Sequence, residues 1–219
     1  MPRPYVILNA AMTLDGKIAT SCGDSKISSE ADLTRLHRLR AKMDAVMVGA
    51  GTILADNPSL TVRRVKGRNP IRVVVDGMAR ISTNAKILDH SARTIVAVSR
   101  AADKEKVERL RQTGAEIIIS DGENIDLQWL LEELYRRGIR KLLLEGGSTL
   151  NWNMISQGLV DEIQVTVAPR IVGGAAAKTL VGGDGFCKVK NGVRLRLSKI
   201  SRVGSDVLLV YRTAGAQRD

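Results

Sequence analysis

The sequence predicts an α/β fold with a mostly parallel central sheet, flanked by helices and finished by antiparallel C-terminal strands. Three observations predict it. Short apolar runs recur at 45–51, 71–77, 94–99, 115–120 and 140–146, continuous rather than alternating, the texture of strands buried on both faces. Amphipathic stretches separate several of them, as the crossovers of parallel strands require. After residue 160 the texture changes to alternation, the mark of half-exposed antiparallel strands.

Each element has its own signal. YVILNAAMT (5–13) is a mostly apolar strand, and Asp15-Gly16 is a hairpin-turn pair leading into KIAT. Ser28 or Ser29 can cap a helix that starts at Glu30 and keeps Leu33, Leu36, Leu39 and Met43 at helical spacing. AVMVGAG (45–51) reads as a buried strand, followed by a helical turn that Asn57-Pro58 stops. IRVVVDG, TIVAVS, AEIIIS and RKLLLEG continue the parallel set, with helices expected at 103–113 and 126–137. In the second of these helices Leu127, Leu130, Leu131 and Leu134 form an apolar stripe. A further helix over 147–158 ends at Gly158. Strands at 161–169, 193–204 and 205–213 follow, the last two joined through Gly204-Ser205, with a glycine-rich loop at 172–185 before them. One domain over 1–219 is expected, with a core of about 4–213 and a short flexible tail at 214–219.

Composition excludes several function classes. Hydrophobic residues at 44% rule out wholesale disorder. The formal net charge of +11 invites a nucleic-acid partner or phosphorylated ligands. Its distribution favours the second. Residues 1–75 hold 12 basic and 6 acidic side chains and residues 178–219 hold 9 and 3, while the middle is nearly neutral. No block of about five or six like charges marks a basic arm. Aromatic side chains at 3% cannot build a base-stacking platform. Cys22 and Cys187 give neither a disulfide framework nor a zinc site. His37 and His90 lack ligand-spaced partners, so no metal is expected and both histidines are read as surface residues. No signal-peptide pattern opens the chain, and no apolar run approaches the roughly 20 residues of a membrane helix. A cytoplasmic protein without a membrane partner is expected.

Two stretches have the form of an anion site, a helix start after a buried strand, where free N–H groups and the helix dipole favour a phosphate. The sharper is LLLEGGSTLN (142–151), in which Gly146 and Gly147 admit close approach and Ser148 and Thr149 offer hydroxyls. The same residues also make a plain strand-to-helix turn with a Ser cap. Glu145, at the carboxyl end of its strand, lies where open α/β sheets bind ligands. The other stretch, VGAGTILADNPSLTVR (48–63), begins like a dinucleotide fingerprint but has Leu54 where the third glycine belongs. There Thr52 can be an N-cap, Asp56 a helix-end residue, and Arg63 and Arg64 exposed cations.

As an ordered set, MTLDGKIA (12–19), GDSKIS (23–28), VGAGTILADNPSLTVR (48–63), VVVDG (73–77), LLLEGGSTLN (142–151) and VAPRIVGG (167–174) resemble one family. It is the reductase family of riboflavin biosynthesis, whose members have a dihydrofolate-reductase-like fold. The likeness runs from about Pro4 to Thr213 and is strongest to the stand-alone archaeal and fungal branch. It implies a single dihydrofolate-reductase-like domain. It also implies NADPH (or NADH) as cofactor and a phosphorylated ribosylaminopyrimidine as substrate, whose C1′ accepts hydride to give a ribityl chain. The family is typically homodimeric.

Carried over by position, the resemblance implies cofactor contacts at Thr52, Asp56, Gly77, Gly146, Gly147, Ser148 and Thr149. Arg80 and Arg100, near strand ends, are candidates for a cofactor 2′-phosphate and equally plain solvated surface. It implies substrate contacts at Ser25, Arg40, Leu60, Arg63 and Glu145. Glu145 is also the candidate catalytic residue, with Asp56, Lys17 or a water as other proton handlers. Asp15 matches the family and is equally a plain turn former. The deaminase signature H-x-E with P-C-x-x-C is absent, so the implied substrate still carries its 2-amino group. Reduction of the deaminated pyrimidine, another dihydrofolate-reductase-like substrate, or nucleic-acid binding are the alternatives. Dispersed charge and few rings weigh against the last.

Overall fold

The structure, a computed structural model, describes residues 2–213. In chain order the elements are β1 (Tyr5–Thr13), α1 (Glu30–Arg40), β2 (Ala45–Gly49), α2 (Ala50–Asp56), β3 (Ile71–Val75), β4 (Thr94–Ser99), α3 (Lys104–Gln112), β5 (Glu116–Ser120), α4 (Leu127–Arg136), β6 (Lys141–Leu144), α5 (Ser148–Ser156), β7 (Glu162–Ala168), β8 (Leu195–Val203) and β9 (Asp206–Thr213). The chain packs as two compact units. Among the described residues, one holds His37–Leu143 with residues 2–4, and the other holds Tyr5–Leu36 and residues 144–213. The tail expected at 214–219 lies outside the described residues.

In the first unit the strand order is β5-β4-β3-β2-β6. β2, β3, β4 and β5 run parallel, with Ala45 opposite Ile71, Arg72 opposite Thr94 and Ile95 opposite Glu116. All six residues of β4 are buried, which is why its sequence does not alternate. α3 and α4 start at side-chain caps, Asp103 accepting from the Lys106 N–H and Asp126 from the Trp129 N–H. Leu127, Leu130, Leu131 and Leu134 all go into the core, each contributing about 2 kcal/mol. Arg72, with no exposed surface, is the largest fully buried side chain. Its guanidinium donates to Thr94 Oγ1, to Asp89 Oδ1 and Ser91 Oγ, and to the carbonyls of Asp89 and Ala92.

In the second unit the order is β1-β7-β9-β8. β7 departs from expectation. It runs parallel to β1, from Ile7 opposite Glu162 to Thr13 opposite Ala168, and is antiparallel only to β9. Its alternation is also partial, because adjacent Val165 and Thr166 are both buried. β8 and β9 form the expected hairpin, turned at Gly204 with φ 62°. KIAT is not the return strand of a hairpin with β1; Lys17 bridges to Thr179 instead. Ser29 Oγ accepts the Asp32 N–H at the start of α1. One helical turn on, Arg35 donates to Asp32, Gln164, Asn9 and Thr166, so polar partners, all but Gln164 buried, fix α1 to β1 and β7.

Strands β2 and β6 end earlier than their apolar runs. Ala50 and Gly51 already belong to α2, and β6 stops at Leu144, before Glu145.

Candidate active site

In the first unit, two places gather the sequence-predicted residues. α2 begins directly after β2 with Gly49 as an N-cap that makes no side-chain bond, so Thr52 lies inside the first turn rather than at the cap. Asp56 is its last residue, and Asn57 closes it in the left-handed region at φ 41°. At the end of β3, Asp76 is wholly buried, with Oδ2 accepting from the Ile81 N–H at 2.9 Å. Its Oδ1 has no hydrogen-bond partner and faces the Arg80 Nε at 3.5 Å. The Gly77 carbonyl accepts both the backbone N–H and the hydroxyl of Ser99. Asp76 thus anchors the loop that carries Gly77 and Arg80. Sequence reasoning passed over it, although it stands in the VVVDG string.

The second gathering is Arg40, Leu60 and Arg63. Arg40 is buried and donates to the Thr61 carbonyl at 3.1 Å. Leu60 is buried in the left-handed region at φ 51°, a conformation costing about 1–2 kcal/mol for a residue with a Cβ. Arg63 places one guanidinium nitrogen on Thr61 Oγ1 at 3.1 Å and is otherwise exposed. His37 is not the surface residue expected. It is buried, and its Nδ1 accepts the Arg63 backbone N–H at 2.9 Å. A histidine without ligand-spaced partners gave no signal for this role, because the partner is a main-chain group 26 residues away.

In the second unit, Glu145 is half-buried directly after β6. The Gly146–Gly147 peptide is cis, and Gly146 has φ 87°. A Cβ on Gly146 would meet the Asn151 amide at 3.4 Å. α5 opens from Gly147 with no side-chain cap. The Ser148 hydroxyl donates to the Thr179 carbonyl instead of capping, and Thr149 is exposed. Asn151, buried in the same turn, uses its Nδ2 on the Leu180 carbonyl and leaves Oδ1 without a partner. Ser25 lies in an exposed loop, its carbonyl accepting the Ile27 N–H. Asp15 is more than a local turn former. It accepts from the Thr13 hydroxyl and from the backbone N–H groups of Val172 and Gly173. These bonds, led by that from Thr13, hold its carboxyl below the usual range.

Each unit by itself has donors that suit part of a dinucleotide cofactor. In the second unit a helix start behind two glycines, with no side-chain cap, suits a pyrophosphate; in the first unit Arg80 is a cation held beside a buried carboxylate. Among the described residues no group of three or more His, Cys, Asp or Glu side chains could hold a metal ion. Among the same residues no helix is long and apolar enough to cross a membrane.

The chain is similar to known proteins over nearly its whole length. The profile of the family described as RibD C-terminal domain matches residues 4–209. A protein of Methanothermobacter thermautotrophicus named 2,5-diamino-6-ribosylamino-4(3H)-pyrimidinone 5′-phosphate reductase is 51% identical over 216 residues, covering 97% of this chain and all of the relative. The crystal structure of a diaminohydroxyphosphoribosylaminopyrimidine deaminase/5-amino-6-(5-phosphoribosylamino)uracil reductase from Thermotoga maritima superposes with a TM-score of 0.82 at 31% identity. It covers 97% of this chain and 57% of that one. The dihydrofolate reductase of Enterococcus faecalis shares the fold, with a TM-score of 0.54 at 12% identity, covering 96% of each chain. The antiparallel C-terminal strands, the parallel sheet and the ordered motifs therefore have one source: the chain belongs to the RibD C-terminal domain family.

Proposed function

We propose that this chain is the NAD(P)H-dependent reductase that converts the ribosylamino side chain of 2,5-diamino-6-(ribosylamino)pyrimidinone 5′-phosphate into the ribitylamino chain. The observation that carries this reading is 51% identity over essentially the full length of a relative bearing that name. The relative named as a uracil reductase stands at 31%, which favours the 2-amino pyrimidine over the deaminated one. The test is oxidation of NADPH or NADH dependent on each phosphorylated pyrimidine. Turnover with the diamino substrate faster than with the uracil supports the reading, and no turnover with either refutes it.

Chemically, the ribose ring opens to an imine between C1′ and the exocyclic nitrogen. C1′ then gains an electron pair as hydride and the nitrogen a proton, leaving the secondary amine. A reduced nicotinamide, when bound, supplies that hydride. The protein's part is alignment, exclusion of water and proton handling. Gly146, Gly147, Ser148 and Thr149 are assigned to the pyrophosphate. Thr52, Asp56 and Gly77 are assigned to the rest of the dinucleotide. Arg80 favours NADPH, because a guanidinium suits a 2′-phosphate. Arg40, Leu60, Arg63 and Ser25 are assigned to the substrate, with Glu145 holding its hydroxyl or amino groups and moving the proton. Two exposed free thiols, Cys22 and Cys187, suit a reducing cytoplasm.

Arg63 has the clearest substrate role. Thr61 and His37 fix its fork and its backbone, which lowers the entropy lost on gripping a phosphate. Arg63→Ala is expected to raise KM for the phosphorylated substrate about tenfold, the worth of one charge-assisted pair. A wild-type KM in steady-state assays removes Arg63 from the phosphate site.

A homodimer through the β8–β9 hairpin belongs to the same reading. β8 is paired on one side only, to β9. Leu195, Leu197 and Ile200 are 42%, 47% and 60% exposed, and Val207 on β9 is 42% exposed. The pairs Leu197–Tyr211, Ile200–Leu209 and Arg202–Val207 put these apolar side chains on one face of the hairpin. A face of this kind is covered in a stable protein, and a second copy covers it by symmetry. Light scattering should give twice the chain mass, and Leu197→Asp with Ile200→Asp should give monomers. A wild-type monomer at micromolar concentration would contradict the assignment.

A further inference from the structure

We propose that Asp15 is a positioning residue for cofactor binding, acting through the segment 170–186, which it ties down and which in turn braces the Gly146–Thr149 turn. The inference rests on the reading that this turn holds the cofactor pyrophosphate. At one end of the segment, Asp15 Oδ2 accepts the Gly173 N–H at 2.8 Å and Oδ1 accepts the Val172 N–H at 3.3 Å. Oδ1 also accepts the Thr13 hydroxyl at 2.6 Å. Leu14 donates to the Arg170 carbonyl and Ile18 to the Lys178 carbonyl, each at 2.8 Å. At the other end, the Thr179 and Leu180 carbonyls accept from Ser148 Oγ and Asn151 Nδ2, each at 2.8 Å. Gly182 returns an N–H to the Ser148 carbonyl at 3.1 Å. The segment then lies flat on α5. A Cβ at Gly183 would fall 2.0 Å from Trp152 Cδ1, and Phe186 meets the Trp152 ring edge-on at 5.0 Å.

These contacts form one strap from the turn after β1 to the first turn of α5. The strap buries little. Residues 171, 172 and 174–176 are exposed, and Ala177 is the one buried apolar side chain between 170 and 186. Its place therefore depends on hydrogen bonds at its ends rather than on a core of its own. Asp15 supplies the charged acceptor at one end. Losing it removes the bonds to Val172 and Gly173 and loosens that end, which keeps the backbone bonds at Arg170 and Lys178, and leaves the sheet and its buried side chains unchanged.

The experiment uses a Trp129→Phe background, in which Trp152 is the sole tryptophan, and compares Asp15→Ala and Asp15→Asn with that parent. With no ligand present, Asp15→Ala should shift Trp152 emission to the red and raise its quenching by acrylamide. NADPH Kd, measured by titration, should rise about tenfold, with kcat at saturating cofactor lowered at most about twofold. Asp15→Asn, which keeps one acceptor oxygen, should restore part of both changes. Unchanged emission, or a shifted emission with unchanged Kd, overturns the proposal. So does equal loss of kcat and affinity with a large fall in Tm, which marks a merely structural role. If the parent binds neither NADPH nor NADH, the cofactor reading itself fails, while Trp152 emission still reports whether Asp15 holds the strap.

Discussion

Glu145→Gln is expected to lower kcat about 100-fold or more while leaving Tm within a degree or two of wild type. General acid–base groups contribute about 10²–10⁴ in rate, whereas exchanging an acid for its isosteric amide at a half-buried position removes little packing. The backbone is held on both sides by its neighbours. β6 buries Leu142, Leu143 and Leu144 before it, and Gly146 turns back at φ 87° after it. Glutamine can still meet hydroxyls and amino groups of the substrate, so KM should move by only a few fold. What it cannot do is hold or move a proton. Steady-state kinetics with saturating cofactor and a thermal melt decide the matter. An unchanged kcat removes Glu145 from the chemistry, and a matching loss in Asp56→Asn instead transfers the proton role to the end of α2.

The fold was legible wherever burial on both faces imposed a continuous apolar run. β4 is the clear case, since all six of its residues are buried and the run and the strand coincide. Helix starts were legible where a cap residue makes a bond, as Ser29, Asp103 and Asp126 do. β7 was legible on its β9 side alone, because alternation reports how many faces of a strand are buried and not which way its neighbour runs. One strand can be parallel on one side and antiparallel on the other, as β7 is. The candidate site was legible only where glycines or charges cluster along the chain, as at 145–149. His37 and Asp76 escaped because each works on a backbone N–H, of Arg63 and of Ile81. A main-chain partner leaves no mark in the sequence. Asp15 escaped in part for the same reason, its partners being two N–H groups about 157 residues away.

The largest stability effect should come from Arg72, which has no place in the proposed chemistry. Its guanidinium is fully buried and makes donor contacts with two carbonyls, two hydroxyls and one carboxylate. A methionine fills similar volume but donates nothing, leaving the Asp89 and Ala92 carbonyls and the Asp89 carboxylate without the buried cation. Breaking one partner of a buried charged pair costs about 3–5 kcal/mol, so Arg72→Met should lose that much in urea unfolding. Asp89 is half exposed, and solvent at that end of the pair places the expected loss towards the lower figure. The same pair predicts an acid response. Hydrogen bonds from Ser91, and then from Arg72, lower the Asp89 carboxyl to about 2 from 3.8. A depressed folded-state value means the unfolded chain takes up the proton first. Asp89 therefore stabilises the fold fully above pH about 4, and its contribution is lost as pH falls towards about 2. In Arg72→Met the Asp89 value should move back up but stay below 3.8, since the Ser91 bonds remain. An Arg72→Met protein as stable as wild type at neutral pH would show that the desolvation cost of the buried guanidinium already cancels its hydrogen bonds.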